Sequence, residues 1–346
     1  MSDIDIRVTG CAGRITLTRE KALNALSYDM CMAIDAALKA WAKDDAVKLV
    51  VIDAAGEKAF CAGGDIAELY STGKAGDYGY GRTFWRDEYR LNARIFGYPK
   101  PVVSFLQGFT MGGGVGIGCH GTHRIVCESS QISMPEVGIG LIPDVGGTLI
   151  LALAPGRLGE YLGLTASRLK AADAIYAGFA DLFIPKEKWE GLIASLEQDG
   201  NPDILQQAAE TAPDGTLEAQ QGEIDRLFSG ETLNDILIDL SRDPSEISAA
   251  AQKALMRNSP LSMACTIEML HRLRGPSLSI QRALDLEYRF TFRSMEKGDF
   301  LEGIRAQIID KDRQPKWQYA DRNVPAVAVS QMLMPLGADA LTFEEE

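Results

Sequence analysis

The chain has 346 residues, of which 35 are basic and 48 acidic, so its formal net charge is −13. An apolar fraction of 46% is enough for a sizeable core and excludes a chain that is mainly disordered. The acidic balance disfavours nucleic acid as a partner. An anionic ligand would need local cations or backbone N–H groups to hold it.

The six cysteines form no Cys-x-x-Cys pair, and a chain of this length does not need disulfides to fold. We therefore expect reduced thiols and a cytoplasmic protein. The first ten residues lack the features of a signal or transit peptide. The uncharged segment 101–119 contains six glycines and is more typical of a strand, a turn and a short helix than of a membrane span. We expect no membrane partner.

Strand and helix patterns alternate over the first 150 residues, which predicts an α/β core. Apolar residues at helical spacing predict a helix over 28–43 with Ser27 as its N-cap. The dipeptide Ala12-Gly13 predicts the turn of an N-terminal hairpin. The continuous apolar runs near residues 50 and 103 predict strands that are covered on both faces. The predicted strands cover 4–8, 14–18, 48–53, 101–106, 123–127 and 131–134.

Beyond about residue 155 the strand patterns stop and helical spacing continues. Clusters of Pro, Gly, Asn and Asp separate the helical segments. We therefore divide the chain into an α/β core over 1–200 and a helical C-terminal region over 201–346. The predicted helices cover 168–177, 186–198, 217–228, 246–256, 261–273 and 280–295.

Two glycine-rich segments each follow a predicted buried strand. Residues 60–65 (FCAGGD) predict a turn that opens a helix with Asp65 as its N-cap, and residues 107–118 contain three consecutive glycines. Backbone N–H groups at such turns can bind an anion or a developing oxyanion. Ordinary connecting loops and tight helix packing produce the same pattern, so neither segment identifies a site alone.

Two acidic residues, Glu136 and Asp144, lie in a segment of apolar and glycine residues. Eight extended residues would separate the two carboxylates by about 26 Å, but Gly138, Gly140 and Pro143 allow the segment to fold back. A carboxylate in apolar surroundings tends toward a raised pKa, or toward reactivity as a base or nucleophile. Two solvated loop acids are the alternative interpretation.

Several catalytic motifs are missing from the sequence. It contains no G-x-S-x-G elbow, no P-loop and no H-E-x-x-H. His120 and His123 lack a third ligand at zinc spacing, so we expect no metal. Glycines within 116–121 match G-x-G-x-x-G, but they lie inside the predicted short helix and lack the context of a dinucleotide site. We expect no cofactor.

Taken together and in this order, the segments resemble the crotonase (enoyl-CoA hydratase/isomerase) superfamily. The early loop 21–27 (KALNALS) and the glycine-rich segments 59–65 and 108–114 carry this resemblance. Within the superfamily, the chain is most similar to the 3-hydroxyisobutyryl-CoA hydrolases. The resemblance covers roughly residues 5 to 320. The motifs shared with the hydrolases are Met134-Pro-Glu136, 143–147 (PDVGG), 299–306 (DFLEGIRA) and 310–317 (DKDRQPKW).

The resemblance implies a spiral of ββα turns followed by a helical C-terminal region. It also implies an acyl-CoA thioester as ligand, with its carbonyl oxygen held in an oxyanion hole by the backbone N–H groups of Ala62 and Gly113. The hydrolases carry functional positions that match Glu88, Gly113, Glu136 and Asp144. Members of the superfamily are often trimers, so a homo-oligomer is an open alternative to a monomer.

One departure from the family pattern separates hydrolysis from hydration. Enoyl-CoA hydratases use two glutamates to hold and activate a water molecule. The first of these would fall at Gly116, which has no side chain. Asp144 stands where those hydratases carry glycine. We therefore expect hydrolysis of a short 3-hydroxyacyl-CoA, with 3-hydroxyisobutyryl-CoA from valine degradation as the favoured substrate. An enoyl-CoA hydratase or isomerase and a non-catalytic acyl-CoA-binding protein are the alternatives.

The sequence leaves several details of the reaction open. Glu136 is expected to act on the thioester as a nucleophile or as a general base on water, and Asp144 to bind the 3-hydroxyl. 3-Hydroxypropionyl-CoA differs from the favoured substrate by one methyl group, worth about 1 kcal/mol. Lys21 and Lys58 are candidates for the CoA phosphates, and Lys74 and Arg82 are further local cations that we consider.

Overall fold

A computed structural model describes residues 3–213 and 215–343 of the chain. The described strands are β1 (Ile4–Thr9), β2 (Ala12–Leu17), β3 (Leu49–Ala54), β4 (Ala59–Cys61), β5 (Val102–Leu106), β6 (Phe109–Met111), β7 (His123–Val126), β8 (Gln131–Ser133) and β9 (Leu182–Phe183). The described α-helices are α1 (Tyr28–Ala42), α2 (Ile66–Lys74), α3 (Tyr78–Phe96), α4 (Gly113–Gly118), α5 (Gly147–Leu153), α6 (Leu158–Thr165), α7 (Ala171–Tyr176), α8 (Trp189–Asp199), α9 (Asp203–Ala208), α10 (Leu217–Leu227), α11 (Leu233–Arg242), α12 (Glu246–Leu255), α13 (Pro260–Leu273), α14 (Ile280–Lys297), α15 (Phe300–Ile304) and α16 (Ala326–Met332).

The chain divides into two compact units that interleave along the sequence. The first unit contains the chain up to Asp65 together with Asp87–Ser133 and Arg168–Glu218. The second contains Ile66–Arg86, Met134–Ser167 and the chain from Ala219 onward. These boundaries do not coincide with the predicted division at residue 200, because two earlier segments pack with the C-terminal helices.

The first unit contains both sheets. Strands β1 and β2 form an antiparallel hairpin, and parallel pairing continues through β3, β5, β7 and β9 in that order. A smaller parallel sheet has the order β4, β6, β8. From β3 to β8 successive strands alternate between the two sheets, so the chain winds in a spiral, as the resemblance implies. The N-terminal hairpin and the predicted strands that follow it are confirmed.

Two local expectations in the first unit need correction. The hairpin turn lies at Gly10-Cys11, because Thr9 pairs with Ala12, and the left-handed φ of 57° at Gly10 suits glycine. The predicted turn residues Ala12 and Gly13 lie inside β2 instead. Strand β9 also continues the sheet beyond residue 155, where no strand was expected. Its two residues are too few for a recognisable alternation.

The core of the first unit lies where alternate residues of the large sheet meet a helix. Leu49, Val103 and Phe105 belong to one buried cluster with Trp189 of α8. The rings of Phe105 and Trp189 are 5.1 Å apart, which is a favourable aromatic contact. Because the residues between them are buried too, the apolar runs of β3 and β5 are explained by burial on both faces.

The second unit is built from helices. Its predicted helices over 217–228, 246–256, 261–273 and 280–295 are confirmed to within two residues at each end. Serine hydroxyls accept backbone N–H bonds at the starts of α12, α13 and α14, which fixes these starts. Among the described residues, none of the helices combines the length and apolar character that a membrane crossing requires.

Candidate active site

The second glycine-rich segment places a backbone donor at the start of α4. Gly113 is the first residue of this helix, so its N–H has no acceptor within the helix. The N-cap, Gly112, has a φ of 49°, a conformation that favours glycine. The two glycines therefore turn the chain from β6 into α4 and leave one amide directed out of the helix start.

The backbone amide that lies beside Gly113 is that of Gly64 rather than that of the predicted Ala62. The N–H of Ala62 donates to the carbonyl of Leu23 at 3.0 Å, so it is already used. Leu26 pairs with the carbonyl of Gly63 and the N–H of Asp65, and the amide of Gly64 between them points to the other side. A Cβ placed on Gly113 would lie 3.3 Å from the Gly64 nitrogen. The backbone amides of Gly64 and Gly113 thus lie side by side, and we call these two groups the amide pair.

Glu88, one of the functional positions that the resemblance implies, lies beside this amide pair. It is buried on α3, in the part of that helix that belongs to the first unit, and 3% of it is exposed. Its Oε1 is 3.0 Å from the position that a Cβ on Gly113 would take. Nearby Cys61 is not a reactive thiolate, because burial raises its pKa to about 12.

The two predicted phosphate-binding lysines line one cavity of the first unit. This cavity has a volume of about 430 Å³, and Lys21 and Lys58 are both exposed at it. The other two cations lie in the second unit. Arg82 is already engaged there, because its guanidinium lies 3.9 Å from the centre of the Phe292 ring and pairs with Glu296 at 3.2 Å. Lys74 is exposed at the end of α2.

Glu136 is held in the second unit by a short rigid segment. It begins a 3-10 helix, Glu136–Ile139, which ends at Gly140 with a left-handed φ of 77°. A Cβ on Gly303 would lie 2.1 Å from the carbonyl oxygen of Ile139, so α15 packs directly on this backbone. Only 5% of Glu136 is exposed, and its Oε2 has no hydrogen-bond partner among the described residues.

Asp144 lies close to Glu136 because the segment between them folds back, as predicted. Asp144 is also 5% exposed, and its carbonyl accepts the N–H of Gly147, the first residue of α5, at 2.7 Å. Burial raises the pKa of Glu136 well above its ordinary value, and the neighbouring charge of Asp144 raises it further. The interpretation as two solvated loop acids is therefore wrong.

A third buried acid, Glu287 of α14, was not predicted. Its carboxylate accepts the N–H of Gly146 at 2.8 Å, the N–H of Thr148 at 3.0 Å and the Thr148 hydroxyl. Burial raises the pKa of Glu287 to about 8, despite these hydrogen bonds. The helix predicted over 280–295 includes Glu287, and the structure confirms that helix. Nothing in the sequence indicates that Glu287, rather than another charged residue of α14, is buried.

Each unit, taken by itself, carries groups of a different chemical kind. The first offers two backbone donors of the kind that stabilise a developing oxyanion. The second offers a buried carboxylate whose raised pKa suits a base or nucleophile. Within the described ranges, no group of three or more His, Cys, Asp and Glu side chains is arranged to hold a metal ion.

A family model and several known proteins match this chain over most of its length. A family model described as enoyl-CoA hydratase/isomerase matches residues 12–333. Proteins named "3-hydroxyisobutyryl-CoA hydrolase, mitochondrial" are 40% identical over 328 residues in Danio rerio (92% of this chain, 85% of that protein) and 38% identical over 346 residues in Homo sapiens (96% and 89%).

Solved structures that carry other names match almost the whole chain. An enoyl-CoA hydratase from Rhodobacter sphaeroides is 57% identical, with a TM-score of 0.94, and the match covers 99% of this chain and 100% of that one. A carnitinyl-CoA dehydratase from Mycobacterium thermoresistibile is 39% identical, with a TM-score of 0.95 and complete coverage of both chains.

Proposed function

Because the chain belongs to the enoyl-CoA hydratase/isomerase family, we propose that it is an acyl-CoA thioester hydrolase. Its favoured substrate is 3-hydroxyisobutyryl-CoA, which yields 3-hydroxyisobutyrate and free CoA. The observation that carries the proposal is the buried carboxylate pair of Glu136 and Asp144, combined with a glycine at residue 116. The names of the relatives from Danio rerio and Homo sapiens support the same reaction.

The reaction begins with binding of the thioester carbonyl. Its oxygen accepts the N–H groups of Gly64 and Gly113, and each such donor typically lowers the barrier by about 3 kcal/mol. Glu136 then follows one of two routes. It attacks the carbonyl carbon and expels CoA as a thiolate that takes up a proton, after which water cleaves the acyl-enzyme anhydride. Alternatively, it takes a proton from water, which attacks the carbonyl directly.

Asp144 sets the preference for a hydroxylated acyl group. Its carboxylate accepts a hydrogen bond from the 3-hydroxyl, and a site built for such a bond discriminates strongly against an analogue that lacks it. Replacing Asp144 with Gly should therefore lower turnover of 3-hydroxyisobutyryl-CoA more than turnover of isobutyryl-CoA. Equal losses on the two substrates would remove Asp144 from this role.

An enoyl-CoA hydratase is the second candidate, and the 57% identical hydratase from Rhodobacter sphaeroides favours it. Hydration in this family uses two glutamates, and Gly116 leaves the first of them without a counterpart. The deciding experiment is a thiol-release assay on acyl-CoAs with and without a 3-hydroxyl, run beside an ultraviolet assay on crotonyl-CoA. Thiol release from 3-hydroxyisobutyryl-CoA supports the hydrolase. Loss of the enoyl absorbance without free thiol supports the hydratase.

The reaction needs no group besides the CoA of the substrate, and Lys21 and Lys58 bind its phosphates. We assign the protein to valine degradation in the cytoplasm. The names of the relatives place those proteins in mitochondria. Tight acyl-CoA binding without turnover would instead indicate a non-catalytic binding protein.

A further inference from the structure

The turn that carries Asp144 is bound by a side chain that is distant in the sequence, Glu287 of α14. Glu287 lies 141 residues beyond Gly146 in the chain, and its two oxygens accept three donors from Gly146 and Thr148. Both of these residues follow Asp144 within one helical turn. The carboxylate therefore fixes the start of α5 and, with it, the backbone that directs the Asp144 side chain.

The backbone of this turn does not hold its conformation unaided. Val145 has a φ of 54° and Gly146 a φ of 79°, so both lie in the left-handed region. A β-branched residue in that region is strained and persists only where the surrounding structure enforces it. The hydrogen bonds from Gly146 and Thr148 to Glu287 contribute to this constraint immediately after Asp144.

Glu287 differs from a purely structural buried acid in the same unit. Glu160 is equally buried, but it pairs with Arg274, Arg157 and His271, which compensates its charge. Within the described chain, Glu287 has no such cation, and its partners are two backbone amides and a hydroxyl. A buried carboxylate without a counter-cation is costly. Glu287 thus places a third acid close enough to Asp144 and Glu136 for their charges to interact.

We propose that Glu287 is a positioning residue that orients Asp144 toward the 3-hydroxyl of the substrate and so sets discrimination for hydroxylated acyl groups. This inference rests on the proposed function. Glu287 does not touch the substrate, and it acts through the turn at Gly146 and Thr148. A displacement of about 1 Å at a reacting or orienting group can cost a factor of about 100 in rate. A variant that loosens this turn should therefore discriminate less strongly between acyl groups with and without a 3-hydroxyl.

The test is the ratio of kcat/KM for 3-hydroxyisobutyryl-CoA to kcat/KM for isobutyryl-CoA, measured by thiol release. In the Glu287→Gln variant an NH2 group, which can only donate, replaces one of the two accepting oxygens, so at least one hydrogen bond from the turn is lost. We expect the ratio to fall by about tenfold or more. The Thr148→Val variant removes only the hydroxyl bond and should lower the ratio by a smaller factor, about threefold.

The Glu160→Gln variant is the matched control. It likewise replaces a fully buried glutamate side chain with the corresponding amide, and it should lower the melting temperature without changing the ratio. An unchanged ratio in the Thr148→Val variant and in folded Glu287→Gln protein would overturn the positioning role. If Glu287→Gln does not fold, the Thr148→Val ratio alone decides. If the wild-type chain releases no CoA from either substrate, the proposed function itself fails and the positioning role fails with it.

Discussion

The amide pair can be tested by filling the space in front of it. In a Gly113→Ala variant the new Cβ would lie 3.3 Å from the Gly64 nitrogen and 3.0 Å from Oε1 of Glu88. The methyl group would then occupy the position where a thioester oxygen must approach both donors. Loss of one such donor lowers turnover by about 10²- to 10³-fold, or about 3–4 kcal/mol.

The same substitution should leave the fold nearly intact. Gly113 does not lie in the left-handed region, so alanine can adopt its backbone conformation. Alanine is favoured over glycine in a helix by about 0.5–1 kcal/mol, which offsets the crowding at 3.0–3.3 Å. We expect a change in unfolding free energy within about 1 kcal/mol. Activity is thus lost without loss of structure.

Thiol release and thermal unfolding are the two measurements for this variant. Gly191→Ala in α8 is the neutral control, because a Cβ there meets nothing within 4 Å. Gly114→Ala is the disruptive control, because its Cβ would lie 2.3 Å from the carbonyl oxygen of Cys61. Folded Gly113→Ala protein that retains activity within about threefold of wild type would refute the oxyanion-hole assignment.

Three further predictions concern charge. Because the pKa of Glu136 is raised, kcat/KM should decrease on acidification already at a pH well above 4.5, the ordinary pKa of this carboxyl group. The Asp144→Asn variant removes the neighbouring charge, so the decrease should move to lower pH. An unshifted pH profile would contradict the electrostatic coupling of the two acids. Burial alone would raise the pKa of Glu160, but hydrogen bonds from three basic side chains lower it to about 2. Its stabilisation of about 3 kcal/mol is then present above pH 4.5 and lost as the pH falls toward 2. Urea unfolding of the wild type and Glu160→Gln, whose stabilities should converge over that pH range, checks this. Replacing Lys21 and Lys58 with Glu should raise KM for the CoA substrate about tenfold at low salt. KM for an N-acetylcysteamine thioester, which lacks the CoA phosphates, should not change. Equal effects on both substrates would show that these lysines do not bind the phosphates.

The sequence predicted those parts of the fold that depend on periodic patterns. The continuous apolar run of β3 and the helical spacing of α1 gave both elements to within one or two residues, because burial dictates their composition. Strand β9 has only two residues and pairs at the sheet edge, so it has no pattern of its own. The hairpin turn was misplaced by two residues because two Gly-containing dipeptides, Gly10-Cys11 and Ala12-Gly13, lie side by side.

The sequence predicted only those residues of the candidate site that lie in segments with a recognisable motif. Glu136 and Gly113 stand in glycine-rich surroundings that are visible in the sequence. The choice between Ala62 and Gly64 depends on which way successive amides point, and that is decided by pairing with Leu26. Glu287 lies far away in the chain and becomes relevant only when α14 packs against α5, so no local pattern reveals it.

The most direct test of the account is thiol release from 3-hydroxyisobutyryl-CoA by the Glu136→Gln variant. A general base or nucleophile typically contributes a factor of about 10²–10⁴, so we predict a loss of at least 100-fold. The fold should be retained, because burial already disfavours the charged form that the amide replaces. A folded Glu136→Gln protein that releases CoA within a few-fold of the wild-type rate would contradict the central claim.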